Sequence, residues 1–348
     1  MTESLSAEVE NCIKRLKEYL DEGIKETEPI AEEQPAYEEI KPEKFKPLKP
    51  VKPSGLLLSV DASSYPLMAA NNWRIGVSRC AYVVVEVKGE TPVIVDEGYE
   101  DHLFAVVCER RKLPYKIWEE LRTFESNLAL KKLKGFGSED YCLLDGAAYF
   151  GGSRSFTQPL YDEARRRGVK MVMIPKNSPR LRDGRGRDLL ASLSLEGSRL
   201  ESLGSLPATW VYSPITKMAE IRSLRLNAEV SAVKLSPSSR RVFRCDVVDY
   251  LYMGVEDKRE VTVQTASELA YVARDARCDG YPAPLYLAHQ HTSIPEAKLL
   301  EYEELVRRVL KEAGLLMELE AEVELAGFRK LLLGLGHDYQ MYEEVAEL

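Results

Sequence analysis

No stretch of the sequence approaches the roughly 18 to 20 consecutive apolar residues that a membrane-crossing helix requires, which excludes a helical anchor. The opening MTESLSAEVE lacks the basic-then-apolar order of a secretory leader, so the expected location is the cytoplasm, with no membrane partner. There is no GxxxxGK[ST], hence no phosphate-cradling P-loop and no built-in ATP motor. Self-similarity at a period of roughly 20 to 50 residues is missing too, which argues against a solenoid or propeller. The six cysteines (Cys12, Cys80, Cys108, Cys142, Cys245 and Cys278) form neither a CxxC pair nor a Cys/His cluster, and read as small core hydrophobes. Histidine is scarce, with only His102, His289, His291 and His337, so imidazole chemistry has few places to reside.

Excess positive charge is also lacking. The formal net charge of −8 excludes a protein coated in lysine and arginine for nonspecific nucleic-acid binding. It is compatible with a local basic groove, because screening confines surface charge to about 10 Å. The segment from Glu163 to Arg187 is such a place, where Arg165, Arg166, Arg167, Lys170, Lys176, Arg180, Arg182, Arg185 and Arg187 face only Glu163 and Asp183. A solvated helix end running into a loop explains the same run equally well.

What remains is an ordinary globular composition, 45% hydrophobic and 30% charged over 348 residues, enough for one large α/β domain with extra helices or two modest domains. The charge-rich usage fits a thermophile. Ile13, Leu16, Tyr19, Leu20 and Ile24 recur at helical spacing and predict an amphipathic helix over about residues 8 to 26. Recurrent prolines between Pro29 and Pro53 predict an extended linker, so residues 1–53 are set apart as helix plus linker. GLLLSVDASS then begins a series of strand patterns, including SRCAYVVVEV, TPVIVDEG, DYCLLDGAA, VKMVMIPKNS, ATWVYSP and RRVFRCDVVDYLYM. Helical patterns run from about Tyr115 to Leu133, through PLYDEARRR to Gly168, through SELAYVARDAR, and through PEAKLLEYEELVRRVLKEA to Gly314. Residues 54–314 form the expected main domain, and the Leu/Glu-rich residues 315–348 a helical tail.

Two of the strands end in an acid, Asp61 and Asp145, which is how a buried strand delivers a carboxylate to a sheet edge. Glu125 lies on the helix between them. Cleavage of a phosphodiester by two cations about 3.5 to 4 Å apart needs oxygen ligands arriving from several elements, and these three acids supply that donor type. A single strand-end Asp is more often a turn former or cap, so the weight lies in the combination. Asp246 and Asp249 are further acids that could complete a metal shell, but they read better as acids of a solvated loop.

Four ordered blocks resemble the NurA nuclease family. VDASS is similar to the strand-end VDGS of that family, RTFESNLA to its helical Arg-x-x-Glu-x-x-x-Ala, LLDGAA to its LVDGS, and GYPAPLYLAH to its GYPxPLxxAH. The IPKNS segment resembles the small lysine-containing loop of the family. The resemblance implies an RNase H-like mixed sheet flanked by helices, with Asp61, Glu125 and Asp145 as ligands of Mn²⁺ or Mg²⁺ and His289 either as a further ligand or in contact with the transition state and leaving group. It further implies that Lys176 stands near the scissile phosphate and that Tyr281 contacts a phosphate or positions the water. His291, two residues beyond His289, would share its face on an extended segment. Ala62 replaces the glycine that follows the first Asp in the family, so a tight turn there would be shaped differently. Ala147 stands where the family commonly has serine.

The resemblance also implies an archaeal-type enzyme of homologous recombination and DNA repair. Such an enzyme resects double-strand breaks as a 5′-3′ exonuclease and single-strand endonuclease, on single-stranded DNA and duplex ends. Its partners would be a hexameric HerA-type ATPase and a second copy of the chain, with the terminal helices making the protein contacts. Two other readings stay open, a non-catalytic DNA-binding scaffold subunit of the same complex and an RNase H-like nuclease acting on RNA or hybrids.

Overall fold

The computed structural model describes residues 3–24, 36–152, 157–175, 181–215 and 224–332. In chain order its strands are β1 (Ala36–Glu38), β2 (Phe45–Pro47), β3 (Leu57–Ala69), β4 (Trp73–Lys88), β5 (Thr91–Val107), β6 (Tyr141–Leu144), β7 (Tyr149–Gly152), β8 (Lys170–Met173), β9 (Leu181–Asp183), β10 (Trp210–Tyr212), β11 (Leu224–Leu226), β12 (Ala228–Lys234) and β13 (Phe243–Val248). The helices are α1 (Glu3–Glu22), α2 (Leu113–Lys132), α3 (Gln158–Arg167), α4 (Leu189–Ser202), α5 (Lys258–Val272), α6 (Ala283–His291), α7 (Glu296–Glu312) and α8 (Leu316–Leu332).

Nine strands form one mixed sheet in the order β2-β10-β12-β13-β8-β6-β3-β4-β5. The central β3, β6 and β8 run parallel, and β4 and β13 pair antiparallel on either side of them. The parallel strands read as near-continuous apolar runs because both of their faces are covered. Side chains alternate between faces with period two. Leu57, Tyr141, Leu143, Val172 and Ile174 pack with α5 and α6 on one face, while Leu58, Val60, Cys142, Leu144, Met171 and Met173 pack with α2 and α3 on the other.

β3, β4 and β5 are far longer than their neighbours and project beyond the parallel strands as a three-stranded arm. That arm has its own core, in which Trp73, Ile75, Val77, Leu103 and Ala105 meet Val9, Cys12 and Leu16 of α1, Tyr302, Val306 and Leu310 of α7, and Leu319 of α8. The amphipathic N-terminal helix therefore packs on the same surface as the C-terminal helices. It begins at Glu3 and stops before Gly23, whose φ of +75° provides the left-handed C-terminal position.

Two expectations need correction. The proline-rich segment is no detached linker over its described part, since β2 pairs with β10 as an edge strand of the main sheet and β1 pairs with β9. Proline suits such a place because an edge strand has backbone positions that need no ladder donor. Nor is there a turn after Asp61. β3 continues in register through Ala62, opposite Cys80, to Pro66, and after a register shift on to Ala69, so Ala62 occupies extended backbone that any residue adopts. Within residues 315–348, α8 spans Leu316–Leu332, and the rest lies outside the described residues.

All six cysteines are buried and free of disulfides. Burial pushes the thiols of Cys12, Cys142 and Cys245 up to about 12, so they stay protonated and behave as core hydrophobes.

Because α1 is part of the arm's core, Leu16→Ala should cost about 2 to 5 kcal/mol, the range for emptying a fully buried leucine site. Chemical denaturation measures it, and a loss below about 1 kcal/mol would mean that α1 docks only loosely.

Candidate functional site

The register of the parallel pair decides where the acids emerge. Leu57 to Val60 of β3 stand opposite Tyr141 to Leu144 of β6, and Asp61 and Asp145 occupy the next position on each. β6 ends there, whereas β3 runs on beside β4 alone. Asp61 is therefore the first residue past a notch in the sheet, a crevice at the carboxyl ends of parallel strands where open α/β sheets bind ligands. The alternation that puts Leu57 on the α6 face puts Asp61 there as well. Its Oδ2 lies 2.7 Å from Nδ1 of His289 on α6, and its Oδ1 accepts the Ala62 N–H at 2.9 Å.

His289 is placed by a short helix with a well-fixed start and end. The chain turns through Asp279 and Gly280, both at positive φ, before Pro282 leads into α6. The far end is tied to the arm, with the Thr292 hydroxyl donating to the His289 carbonyl (2.8 Å) and sharing a hydrogen bond with the Ser63 hydroxyl (2.7 Å). Arg79, paired with Asp101, donates to the Ser293 carbonyl at 2.8 Å. The imidazole itself is 45% exposed, so one ring nitrogen meets Asp61 while part of the ring remains open to solvent. Helical backbone also corrects the expectation for His291. Two residues along a helix is about 200° of rotation, and His291 faces Glu97 (3.4 Å) instead of the site.

Asp145 sits in a turn held at both ends. Arg122 of α2 donates to the Asp145 carbonyl and forms an ion pair with Glu125 one helical turn along. Gly146 follows at φ +114°, and a Cβ there would overlap the Arg122 guanidinium, so glycine is needed both for its backbone freedom and for its lack of bulk. At the other end the Ala148 N–H donates to Asp246 at 3.0 Å, and Asp246 is itself gripped by Arg244 through two bonds of 2.6 Å. Asp246 is completely buried on β13, which overturns its assignment to a solvated loop. Asp249 is likewise no freely solvated acid, since it accepts the Tyr161 hydroxyl. Sequence reasoning misses Arg122 and Asp246 as supporting residues. Arg122 stands inside a motif that gives no sign of what it grips, and the pairing that makes Asp246 useful crosses about a hundred residues.

Glu125 reaches this edge from the α2 face, opposite to α6, and is 2% exposed. Tyr281 is buried with its hydroxyl donating to the Ile174 carbonyl (2.9 Å), just beyond β8. Burial first, then the charges of Asp145, Asp61 and Glu125, raise its phenol well above the ordinary value, with Arg122 opposing, so it stays protonated. All three acids thus act electrostatically on one buried phenol. Among the described residues, however, no three Asp, Glu, His or Cys side chains are placed to share a single ion. Lys176, with Arg180, lies outside the described residues. The basic stretch around it is partly neutralised, Arg166 and Arg167 by Glu163 and Arg187 by Asp183.

Asp246→Ala should destabilise the protein by about 3 to 5 kcal/mol, because it strands the buried Arg244 charge. Gly146→Ala should cost about 1 to 3 kcal/mol through its strained φ and the collision with Arg122. Both are read by denaturant unfolding, and wild-type stability in either variant would refute the clamped turn.

No family model matches the chain, and no curated protein matches it in sequence. Among solved structures it is similar to the NurA nuclease from Sulfolobus solfataricus, at 16% identity and TM-score 0.53, over 90% of this chain and 98% of that one. NurA with manganese (10% identity, TM-score 0.47, covering 86% of this chain and 97% of that one) and the catalytic domain of human endonuclease V (14%, 0.39, covering 90% and 100%) are more distant. The chain therefore has the fold of the Sulfolobus solfataricus NurA nuclease, a mixed RNase H-like sheet wrapped by helices from both ends of the chain.

Proposed function

We propose that this protein is a divalent-metal-dependent nuclease that hydrolyses DNA strands at the notch between β3 and β6. The observation that carries the proposal is the register of these parallel strands, which brings Asp61 and Asp145 to adjacent positions where one strand ends and the other continues. The fold of a NurA nuclease supports it.

The donor set fits a hard cation in kind, since Asp61, Asp145 and Glu125 offer carboxylate oxygens of the sort Mn²⁺ and Mg²⁺ take. Asp61 and Glu125 also have protein partners, the His289 imidazole and the Arg122 guanidinium respectively. Asp61 and Asp145 would hold the ion, with Glu125 and His289 bordering it. When bound, the metal supplies water activation and charge stabilisation. The chain's own residues do the rest. Arg122 fixes the Asp145 backbone, Tyr281 braces the strand end at Ile174, and the half-exposed His289 ring carries a proton to the departing oxygen. Lys176 serves as a phosphate-facing cation in this scheme. The wider role is resection of DNA ends, by 5′-3′ exonuclease and single-strand endonuclease cutting, beside a HerA-type hexameric motor and as a homodimer.

A second reading, a DNA-holding subunit that does not cut, draws on the absence of a three-ligand ion site among the described residues. The two separate in one experiment, with labelled single-stranded DNA, RNA and RNA:DNA hybrid incubated with the pure protein in Mn²⁺, Mg²⁺ or chelator. DNA cleavage that depends on the metal is expected. Asp61→Asn and Asp145→Asn should each lower it by at least about 10²-fold, the scale of losing several kcal/mol of charge stabilisation, without unfolding the protein. Absence of cutting under every condition, with and without the motor, favours the holding subunit, and preferential hybrid cutting favours an RNase H-type substrate.

A further inference from the structure

The loop that joins β12 to β13, residues 235 to 242, belongs to the acid-bearing edge of the sheet. β13 runs antiparallel to β8, with Asp246 opposite Met173 and Val247 opposite Val172. Tracing β13 back to Phe243 therefore passes the carboxyl end of β8, the same end at which β6 stops and Asp145 begins. With neighbouring strands about 4.8 Å apart, the β13 end of the loop stands about 10 Å from the strand of Asp145 and about 14 Å from that of Asp61.

This loop presents two successive exposed arginines, Arg240 and Arg241, among the serines 236, 238 and 239. It is braced from within and below. The Ser239 hydroxyl accepts the Arg241 N–H at 3.0 Å, the Ser236 and Ser238 hydroxyls are 2.8 Å apart, and Ser194 of α4 donates to the Arg240 carbonyl at 2.9 Å. Arg241 pairs with Asp279, and Ser239 packs so closely on Gly280 that a Cβ at that glycine would approach within 2.9 Å. The loop thus rests on the very turn that starts α6 and positions His289. A protein with a net charge of −8 must concentrate its cations to hold a polyanion, and here two exposed guanidiniums, one of them paired with Asp279, stand on a braced loop at the acid edge.

We propose that the Ser236–Arg241 loop binds the sugar–phosphate backbone of a single nucleic-acid strand, with Arg240 and Arg241 contacting phosphates a few nucleotides from the position cut. This rests on the nuclease reading for the site itself. The loop sets strand register, and Arg240 and Arg241 are positioning residues that leave the reacting atoms to the acids.

The test is binding of a fluorescent single-stranded DNA oligonucleotide by the full chain in chelator, followed by anisotropy over a salt series, so that it does not depend on cleavage. The double variant Arg240→Gln/Arg241→Gln should bind about five- to tenfold more weakly, and its plot of log affinity against log salt should be shallower by about 0.7 for each phosphate that is no longer neutralised. In Mn²⁺ its KM should rise while kcat at saturating DNA stays within about twofold. Arg240→Gln alone, which leaves the Arg241–Asp279 pair intact, should already show the shallower slope, and Asp279→Asn, which frees a guanidinium, should bind at least as tightly as wild type. A wild type that binds but never cuts removes the nuclease reading and keeps the loop. Wild-type affinity and salt slope in both arginine variants overturn the loop and leave the nuclease reading standing, and a wild type with no affinity for the strand overturns it too.

Discussion

The arrangement depends on one mismatch of length in a parallel pair. β3 and β6 share four paired positions, and then β6 leaves the sheet while β3 carries on for nine more residues beside β4. Without that mismatch Asp61 would sit opposite another strand, with its carboxylate covered by ordinary packing. With it, a mid-strand acid gains an open flank, and the acid of the departing strand sits in a turn beside it. The long arm is what makes the mismatch tolerable, because α1, α7 and α8 bury one of its faces beyond the end of the parallel core and α2 packs on part of the other.

Gathering acids at one edge raises an electrostatic problem that the protein answers with polar and charged partners of its own. Asp61 is partnered across elements by His289 of α6, whereas Glu125 and the supporting Asp246 are partnered within their own elements by Arg122 of α2 and Arg244 of β13. Such pairs lose solvation as they are buried, so they bring specificity of position more than net stability. Two of them end on the Asp145 turn, Arg122 on its carbonyl and Asp246 on the Ala148 N–H, so a loop that carries chemistry is held as firmly as the strands around it. Glycine follows Asp145 because the backbone there is at positive φ, and a side chain would also have to displace the Arg122 guanidinium from its two partners.

Charge along the chain proved a poor guide to charge in space. The arginine-rich run after Glu163 looks like the natural groove for a polyanion, yet several of its members close local ion pairs of the helix and loop they sit on. Arg240 and Arg241 are only two residues in a serine-rich loop and attract little notice in the sequence. The antiparallel register of β13 lifts them to the edge that bears the acids. Asp246 shows the converse, a charge that looked solvated and is entirely enclosed.

Local pattern alone determined the helices α1, α2, α3, α5 and α7, the strands β3, β4, β5, β6, β8, β10 and β13 and the burial of the cysteines, because these follow from hydrophobic period, glycine stops and residue size within a window of a few turns. The sequence also singled out Asp61, Glu125, Asp145 and His289 as a set worth bringing together. Tertiary structure decided that Asp61 lies within a strand and not at its end, that His289 and His291 part company on a helix, that the proline-rich segment supplies an edge strand, and that Arg122, Arg244 and Asp246 support the site. Those outcomes depend on which strand stops beside which, and on pairings across tens to hundreds of residues. A linear pattern carries the spacing within an element, whereas the register between elements is set only when their faces are packed.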